Sequence, residues 1–260
     1  MLVLAVIALY WADVPAVADG TAEPEDPDAP PEAELVEPED SPVPVVLVPG
    51  WRDTVEDLEP LRDRFVEAGW AEERVRTMEF RDPVGGNVQN AREIADAVSS
   101  FRSSLGVEAV DVVAHSMGGL AARHYLRFLG GADQVRRVVF LGTPHRGTVL
   151  ASLAWGEGAE DMVPGSEFLE RLNEGRAVPE GVQALALRTP LDLRVLPASS
   201  AILPGVHNVE VCCPTHPGMI DDENTFEAVE RFLRAGPDLP DPFVPWWDDF
   251  IHGIEAVQTG

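Results

Sequence analysis

The pattern of apolar and polar positions divides the chain into four stretches. Residues Leu2 to Trp11 form an apolar run, and Asp19 to Pro44 is built of Pro, Glu and Asp with almost nothing apolar. From Val43 the pattern becomes that of a folded domain, and after Gly236 it gives way to a Pro- and Trp-rich tail ending at Gly260. The expected organisation is a separate segment over 1–18, an acidic linker over 19–42, one domain over 43–235 and a tail over 236–260. Within the domain, Val43-Pro-Val-Val-Leu-Val48 is apolar on both faces, as a central parallel strand is. Asp53 to Gly69 carries Val55, Leu58, Leu61, Phe65 and Val66 at helical spacing, and Arg74 to Phe80 alternates as a strand. Asn87 to Leu105 is the longest predicted helix, with Ile94, Val98, Phe101 and Leu105 on one stripe and Gly106 to close it. Val110 to Val113 is a short apolar strand, and Leu120, Ala121, Ala122, Tyr125 and Leu126 follow at helical spacing. Arg136 to Leu141, Val182 to Leu187 and Val209 to Cys213 read as further strands, and Glu223 to Arg234 as a closing helix. This β-α-β-α-β-α-β rhythm predicts an α/β fold with a mostly parallel, doubly wound sheet covered by helices on both faces. Gly142 to Ala177 breaks the rhythm. Its isolated apolar residues, among them Leu150, Trp155, Met162 and Phe168, suggest short amphipathic turns over the C-terminal edge of the sheet, where open α/β sheets bind ligands. No internal repeat is visible.

Composition changes this picture in three places. Acidic side chains number 45 against 19 basic ones, a net charge of −26, and every basic residue is arginine. Such a charge repels phosphate backbones and anionic headgroups, which disfavours a nucleic-acid partner but not a neutral, apolar substrate. The crowded carboxylates call for screening, so a protein working in concentrated salt is one expectation and an acidic protein of ordinary habitat the other. The N-terminal run is followed by Pro15-Ala-Val-Ala-Asp19, with an Ala16-x-Ala18 cleavage signature, and it is shorter than the roughly 20 residues of a membrane span. A cleaved signal peptide, the remainder of a longer signal or anchor, and a buried strand are the three readings. The solvated acidic linker that follows favours export, to the medium or tethered at the cell surface. Finally, the two cysteines, Cys212 and Cys213, are neighbours. Cα atoms about 3.8 Å apart fall short of the roughly 4.4 Å a disulfide usually needs, so they are expected unbridged, within a buried strand.

The candidate chemistry centres on Ala114-His-Ser-Met-Gly118. Ser116 stands where a strand passes through a tight turn into a helix. In such an elbow the hydroxyl is exposed and the next backbone N–H, that of Met117, can face an oxyanion. Gly118 and Gly119 permit strand and helix to approach, and Ala114 takes the place of the first glycine of the general pattern. The alternative is a serine that merely starts a helix. An activated serine requires a base and the base an acid, delivered to the same sheet edge by later strands. His216, in Pro214-Thr-His-Pro217 after the last strand, is where a base would arrive. His115 sits inside the elbow and turns back to the serine only with difficulty, and His124, His145, His207 and His252 lie elsewhere along the chain. Asp192, one strand before His216, completes the order Ser116, Asp192, His216, with Asp161, Asp221 and Asp222 as rivals.

With these residues in view, the chain from about Val43 to about Leu233 resembles the small bacterial triacylglycerol lipases and related esterases of the α/β-hydrolase superfamily. The resemblance rests on Val46-Leu-Val-Pro-Gly-Trp51, Ala114-His-Ser-Met-Gly118, Leu141-Gly-Thr-Pro-His-Arg-Gly147, the Asp192 segment and Pro214-Thr-His216. It implies a compact α/β-hydrolase fold, acyl transfer through Ser116, His216 and Asp192, and an oxyanion hole formed by the backbone N–H groups of Trp51 and Met117. It also implies substrate contacts from Trp51 and His115, and neither cofactor nor metal. Two departures stand out. Pro49-Gly50 replaces the usual His-Gly, and the stretch between Thr143 and Asp192 is longer than in the smallest, lidless members, so a partial lid over Thr148 to Leu172 is expected. A metal site from Cys212, Cys213 and His216 is disfavoured, because neighbours on a strand point to opposite faces. The same triad also serves thioesterases, peptidases and acyltransferases, and a non-catalytic binding protein could keep the fold. Oligomeric state is not legible.

Overall fold

A computed structural model describes residues 42–236; the readings made for 1–18, for the linker up to residue 41 and for the tail from residue 237 lie outside them. In chain order the elements are β1 (Val45–Val48), α1 (Val55–Glu67), β2 (Val75–Thr77), α2 (Asn87–Leu105), β3 (Val110–His115), α3 (Met117–Phe128) and β4 (Val135–Leu141). They continue with α4 (Glu157–Asp161), α5 (Glu167–Asn173), β5 (Gln183–Arg188), β6 (His207–Glu210) and α6 (Glu223–Ala235). The six strands form one parallel sheet in the order β2-β1-β3-β4-β5-β6. The chain winds outward from β1 in one direction to β2 and then crosses back to β3. The C-terminal ends of β1 and β3 are therefore the topological switch point, the crevice where such sheets take ligands.

Alternation along the strands explains why β1 reads as apolar throughout. Val46 and Val48 face a core shared with Ile94, Val98 and Phe101 of α2 and Tyr125 of α3. Val45 and Leu47 face the opposite core, with Leu58, Leu61 and Phe65 of α1 and Phe226, Val229 and Phe232 of α6. Each face of the sheet is thus covered, and successive side chains find separate cores. Asp111, fully buried in β3, accepts from the Nε of Arg136 at 3.0 Å and the Arg137 N–H at 3.1 Å, while both guanidinium groups reach the Leu233 carbonyl at the end of α6. Among the described residues no helix is long and apolar enough to cross a membrane.

Three expectations need correction. The strand expected over Arg74 to Phe80 is only Val75–Thr77, because its partner β1 ends at Val48 and the ladder pairs no further than Leu47 with Thr77. Met78 and Phe80 continue the alternation only because the departing loop buries them in the core. The last strand runs His207–Glu210 and not Val209 to Cys213, since β5 ends at Arg188 and offers its last acceptor to the Val211 N–H. The cysteines accordingly fall beyond the strand. Contrary to expectation they are joined to each other in a disulfide, with a cis peptide bond between them.

Candidate active site

Ser116 joins β3 to α3 in a backbone conformation with φ 51° and ψ −126°, a region that non-glycine residues occupy rarely. Its neighbours hold it there. The Ser116 N–H donates to the Leu141 carbonyl at the end of β4 (2.8 Å), and its own carbonyl accepts from the Gly119 N–H (3.1 Å). A methyl group on Gly118 would fall 2.1 Å from the Pro49 carbonyl oxygen, and one on Gly119 1.9 Å from the Thr143 Oγ1. The first turn of α3 is therefore wedged between the ends of β1 and β4, which only glycine at both positions allows.

His216 arrives from the loop after β6, its Nε2 2.9 Å from the Ser116 Oγ. Its Nδ1 lies 2.7 Å from the Asp192 Oδ2, and Asp192 Oδ1 accepts from the Arg194 and Val195 N–H groups at 2.9 and 2.7 Å. Because a carboxylate only accepts, Nδ1 carries the proton and Nε2 is left free to accept from the serine hydroxyl. The Thr189 hydroxyl donates to the Pro214 carbonyl (2.7 Å), tying the loop of Asp192 to the loop of His216. Burial pushes His216 below the usual imidazole value; the hydrogen bond to Asp192 opposes this, and the neighbouring His115 adds to it. Burial works to raise Asp192, but the hydrogen bond and charge of His216, with the Val195 and Arg194 N–H groups, outweigh it and hold the carboxyl below its usual range. The pair is thus a neutral imidazole beside a carboxylate, poised to take a proton.

A cavity of about 480 Å³ opens over Ser116, a size that accommodates a small-molecule ligand. Trp51, Leu150, Ala151, Met162 and Val195 give it an apolar wall. The Met117 N–H opens α3, where the first N–H groups have no intrahelical acceptor, and among the described residues neither it nor the Trp51 N–H donates to the protein. The irregular stretch after β4 forms the roof. It is a 3₁₀ turn over Val149–Leu153 followed by α4 and α5. Asp161 pins α4 by accepting from the Asn87 N–H and Nδ2 at 2.7 and 3.1 Å, at the start of α2. Arg123, buried in α3, pins α5 by donating to the Leu172 carbonyl and the Asn173 Oδ1, both at 3.0 Å, and to the Ala177 carbonyl at 3.2 Å. Arg127 joins it at the Leu172 carbonyl.

The structure does not bring His115 to the lining of this cavity. It shares the face of Val113, two residues earlier in β3, and is buried behind Ser116 with Nδ1 2.6 Å from the Asp53 Oδ2 and Nε2 3.3 Å from the His216 carbonyl. The rival acids are engaged elsewhere: Asp161 at α2, Asp221 with Arg64, and Asp222 as the N-cap of α6. His124 lies against Phe128 and Phe168, His145 against Phe140, and His252 is outside the described residues. Asp53, which the sequence presents only as the start of a helix, also stands beside the site, where its carboxylate accepts from the Gly50 N–H at 2.9 Å.

Aspergillus fumigatus lipase B superposes on this chain with a TM-score of 0.66 at 20% identity, over 76% of this chain and 53% of that one. Bacillus licheniformis lipase BlEst2 in its mature form gives 0.65 at 17% identity, covering 76% of this chain and 94% of the other. The fold is that of the α/β-hydrolases. A metagenomic carboxyl esterase, MGS0156, shares it with a TM-score of 0.54 and 19% identity, over 75% and 76% of the two chains. This chain thus spans about half of the Aspergillus protein but nearly all of the mature Bacillus one. A family model described as a domain of unknown function, DUF7379, matches residues 85–157, which in this chain hold α2, β3, the Ser116 turn, α3, β4 and the first part of the roof.

Proposed function

We propose that this protein is a serine hydrolase that cleaves carboxylic esters, of the lipase or esterase kind, through an acyl-enzyme on Ser116. The observation that carries the reading is the unbroken hydrogen-bonded relay from the Ser116 Oγ through His216 to Asp192 at the floor of a partly apolar cavity. In the first step the Ser116 Oγ attacks the ester carbonyl while His216 Nε2 takes its proton. The tetrahedral oxyanion accepts from the Trp51 and Met117 N–H groups, and His216 returns the proton to the departing alkoxide. Water then attacks the acyl-enzyme with His216 again as base, releasing the acid and restoring the serine. Asp192 keeps the proton on Nδ1 and offsets the charge of the transient imidazolium. The fold likeness to lipases and an esterase agrees with this chemistry.

A fluorophosphonate probe tests the reading. Labelling of the wild type, absent in Ser116→Ala, together with release of p-nitrophenol from a chain-length series of esters, is the expected result. A wild-type protein that neither labels nor hydrolyses any member of that series or a triglyceride emulsion would contradict it.

A further inference from the structure

Two carboxylates besides Asp192 reach the vicinity of Ser116, and the reaction scheme uses neither. Asp57 accepts from the Thr54 N–H and hydroxyl at 2.8 and 3.0 Å and closes the first turn of α1. Asp53 stands one residue ahead of Thr54, yet its carboxylate turns away from the helix. The Oδ2 accepts from the Gly50 N–H at 2.9 Å and lies 2.6 Å from the His115 Nδ1. Gly50 precedes Trp51, one proposed oxyanion donor, and His115 precedes Ser116. Since the carboxylate can only accept, the His115 Nδ1 donates to it. The far side of the same ring reaches the His216 carbonyl at 3.3 Å, with the two imidazole centroids 4.9 Å apart. One oxygen atom thus joins the two segments that carry the proposed oxyanion donor and nucleophile, and the His115 ring it holds packs beside the His216 ring.

The junction is also tightly filled. A methyl group on Gly50 would lie 2.6 Å from the Asp53 Oδ2, 2.9 Å from the Ser116 Cβ and 3.2 Å from the His115 Nδ1. The Asp53 side chain is only 13% exposed, so its bonds meet little competition from water. Burial works to raise its carboxyl, but the hydrogen bond and charge of His115 and the Gly50 N–H outweigh it, leaving the group below its usual range and charged. Hydrogen bonds to an ionised acceptor are roughly twice as strong as neutral ones, and two of them converge here.

We propose that Asp53 is a positioning residue for ester cleavage, locking the loop that presents the Trp51 N–H onto the strand end that presents Ser116. This rests on the hydrolase reading above. An oxyanion donor acts only when held at hydrogen-bond distance from where the charge develops, so a loop released by a few tenths of an ångström loses transition-state stabilisation while ground-state binding is largely kept.

The test is Asp53→Asn, nearly isosteric but uncharged. Sites are counted by exhaustive fluorophosphonate labelling, and kcat is expressed per labelled site, so that misfolded molecules drop out of the comparison. Losing a whole oxyanion donor costs about 10²–10³ in kcat, and a misplaced one is expected to cost about 10- to 100-fold, with KM changed less than about 2-fold. Inhibition by an alkyl boronic acid, whose serine adduct mimics the tetrahedral intermediate, should weaken by the same factor as kcat/KM. A merely structural role would lower the number of sites and leave both per-site quantities in place. His115→Gln, which removes the other end of the tether, is read in the same way and decides the matter if Asp53→Asn yields too few sites. A hydrolytic wild type whose variants keep their per-site kcat and boronate affinity overturns the positioning role alone. A wild type that hydrolyses no ester overturns the hydrolase reading, and this inference with it.

Discussion

His216 carries two opposing influences, and their balance has a kinetic signature. Burial, the first of them, penalises the charged ring, and the Asp192 hydrogen bond only partly restores it, so the free protein holds His216 below the ordinary value of 6.5. The acid limb of kcat/KM for a neutral ester should therefore fall below pH 6.5, whereas an imidazole stabilised mainly by its carboxylate would place it above. A pH–rate profile of the wild type decides between them. The three residues of the relay were legible because each follows a strand, and the parallel sheet converts order along the chain into position along one edge. What the chain order could not reveal was any contact set by the spacing between two loops. The Asp53–His115 bond joins residues 62 apart, and nothing local to either announces it. His115 was placed wrongly for a related reason: its nearness to Ser116 in sequence says nothing about which face of β3 it occupies.

At the level of elements, helix periodicity served better than strand alternation. The pattern for α2 gave its limits, Asn87 and Leu105, because a helix makes its own hydrogen bonds and ends on its own signals, here Gly106 at φ 66°. A strand ends where its neighbour ends, which is why the edge strands β2 and β6 stop at Thr77 and Glu210, short of the expected Phe80 and Cys213. The roof was legible only as a break in rhythm. Its attachment depends on Arg123, whose guanidinium meets two carbonyls and an amide oxygen, with no carboxylate among these acceptors, at the C-terminal end of α5. Positive charge at that end suits the helix dipole. Replacing it by methionine, Arg123→Met, keeps the bulk but strands buried acceptors, at a cost of about 1–3 kcal/mol. Amide exchange over residues 167–173 should quicken far more than that of β3; equal protection in the variant and the wild type would contradict the pin.

The molecule as a whole answers to pH and salt through different groups. His124, His145 and His216 are all held below 6.5, with burial the leading cause in each. An unfolded chain takes up their protons first, so the stability they permit is fully present above about pH 6.5 and is lost as pH falls below it. The melting temperature should drop between about pH 7.5 and about pH 5.5, and His145→Gln, which removes the most deeply buried of the three, should flatten that slope. A net charge of −26 predicts that the melting temperature rises toward about 1 M NaCl, where screening acts within about 3 Å; a flat series would favour an acidic protein of ordinary habitat.

The strand order also has a meaning in time. Ser116 meets its hydrogen-bonded partner His216 only after β6 has been added to the open edge beside β5. On the proposed mechanism, a chain emerging from the ribosome therefore holds its nucleophile with nothing to deprotonate it until residue 216 has followed. Hydrolytic capacity then waits on residue 216, and chains that stop before it are born inert.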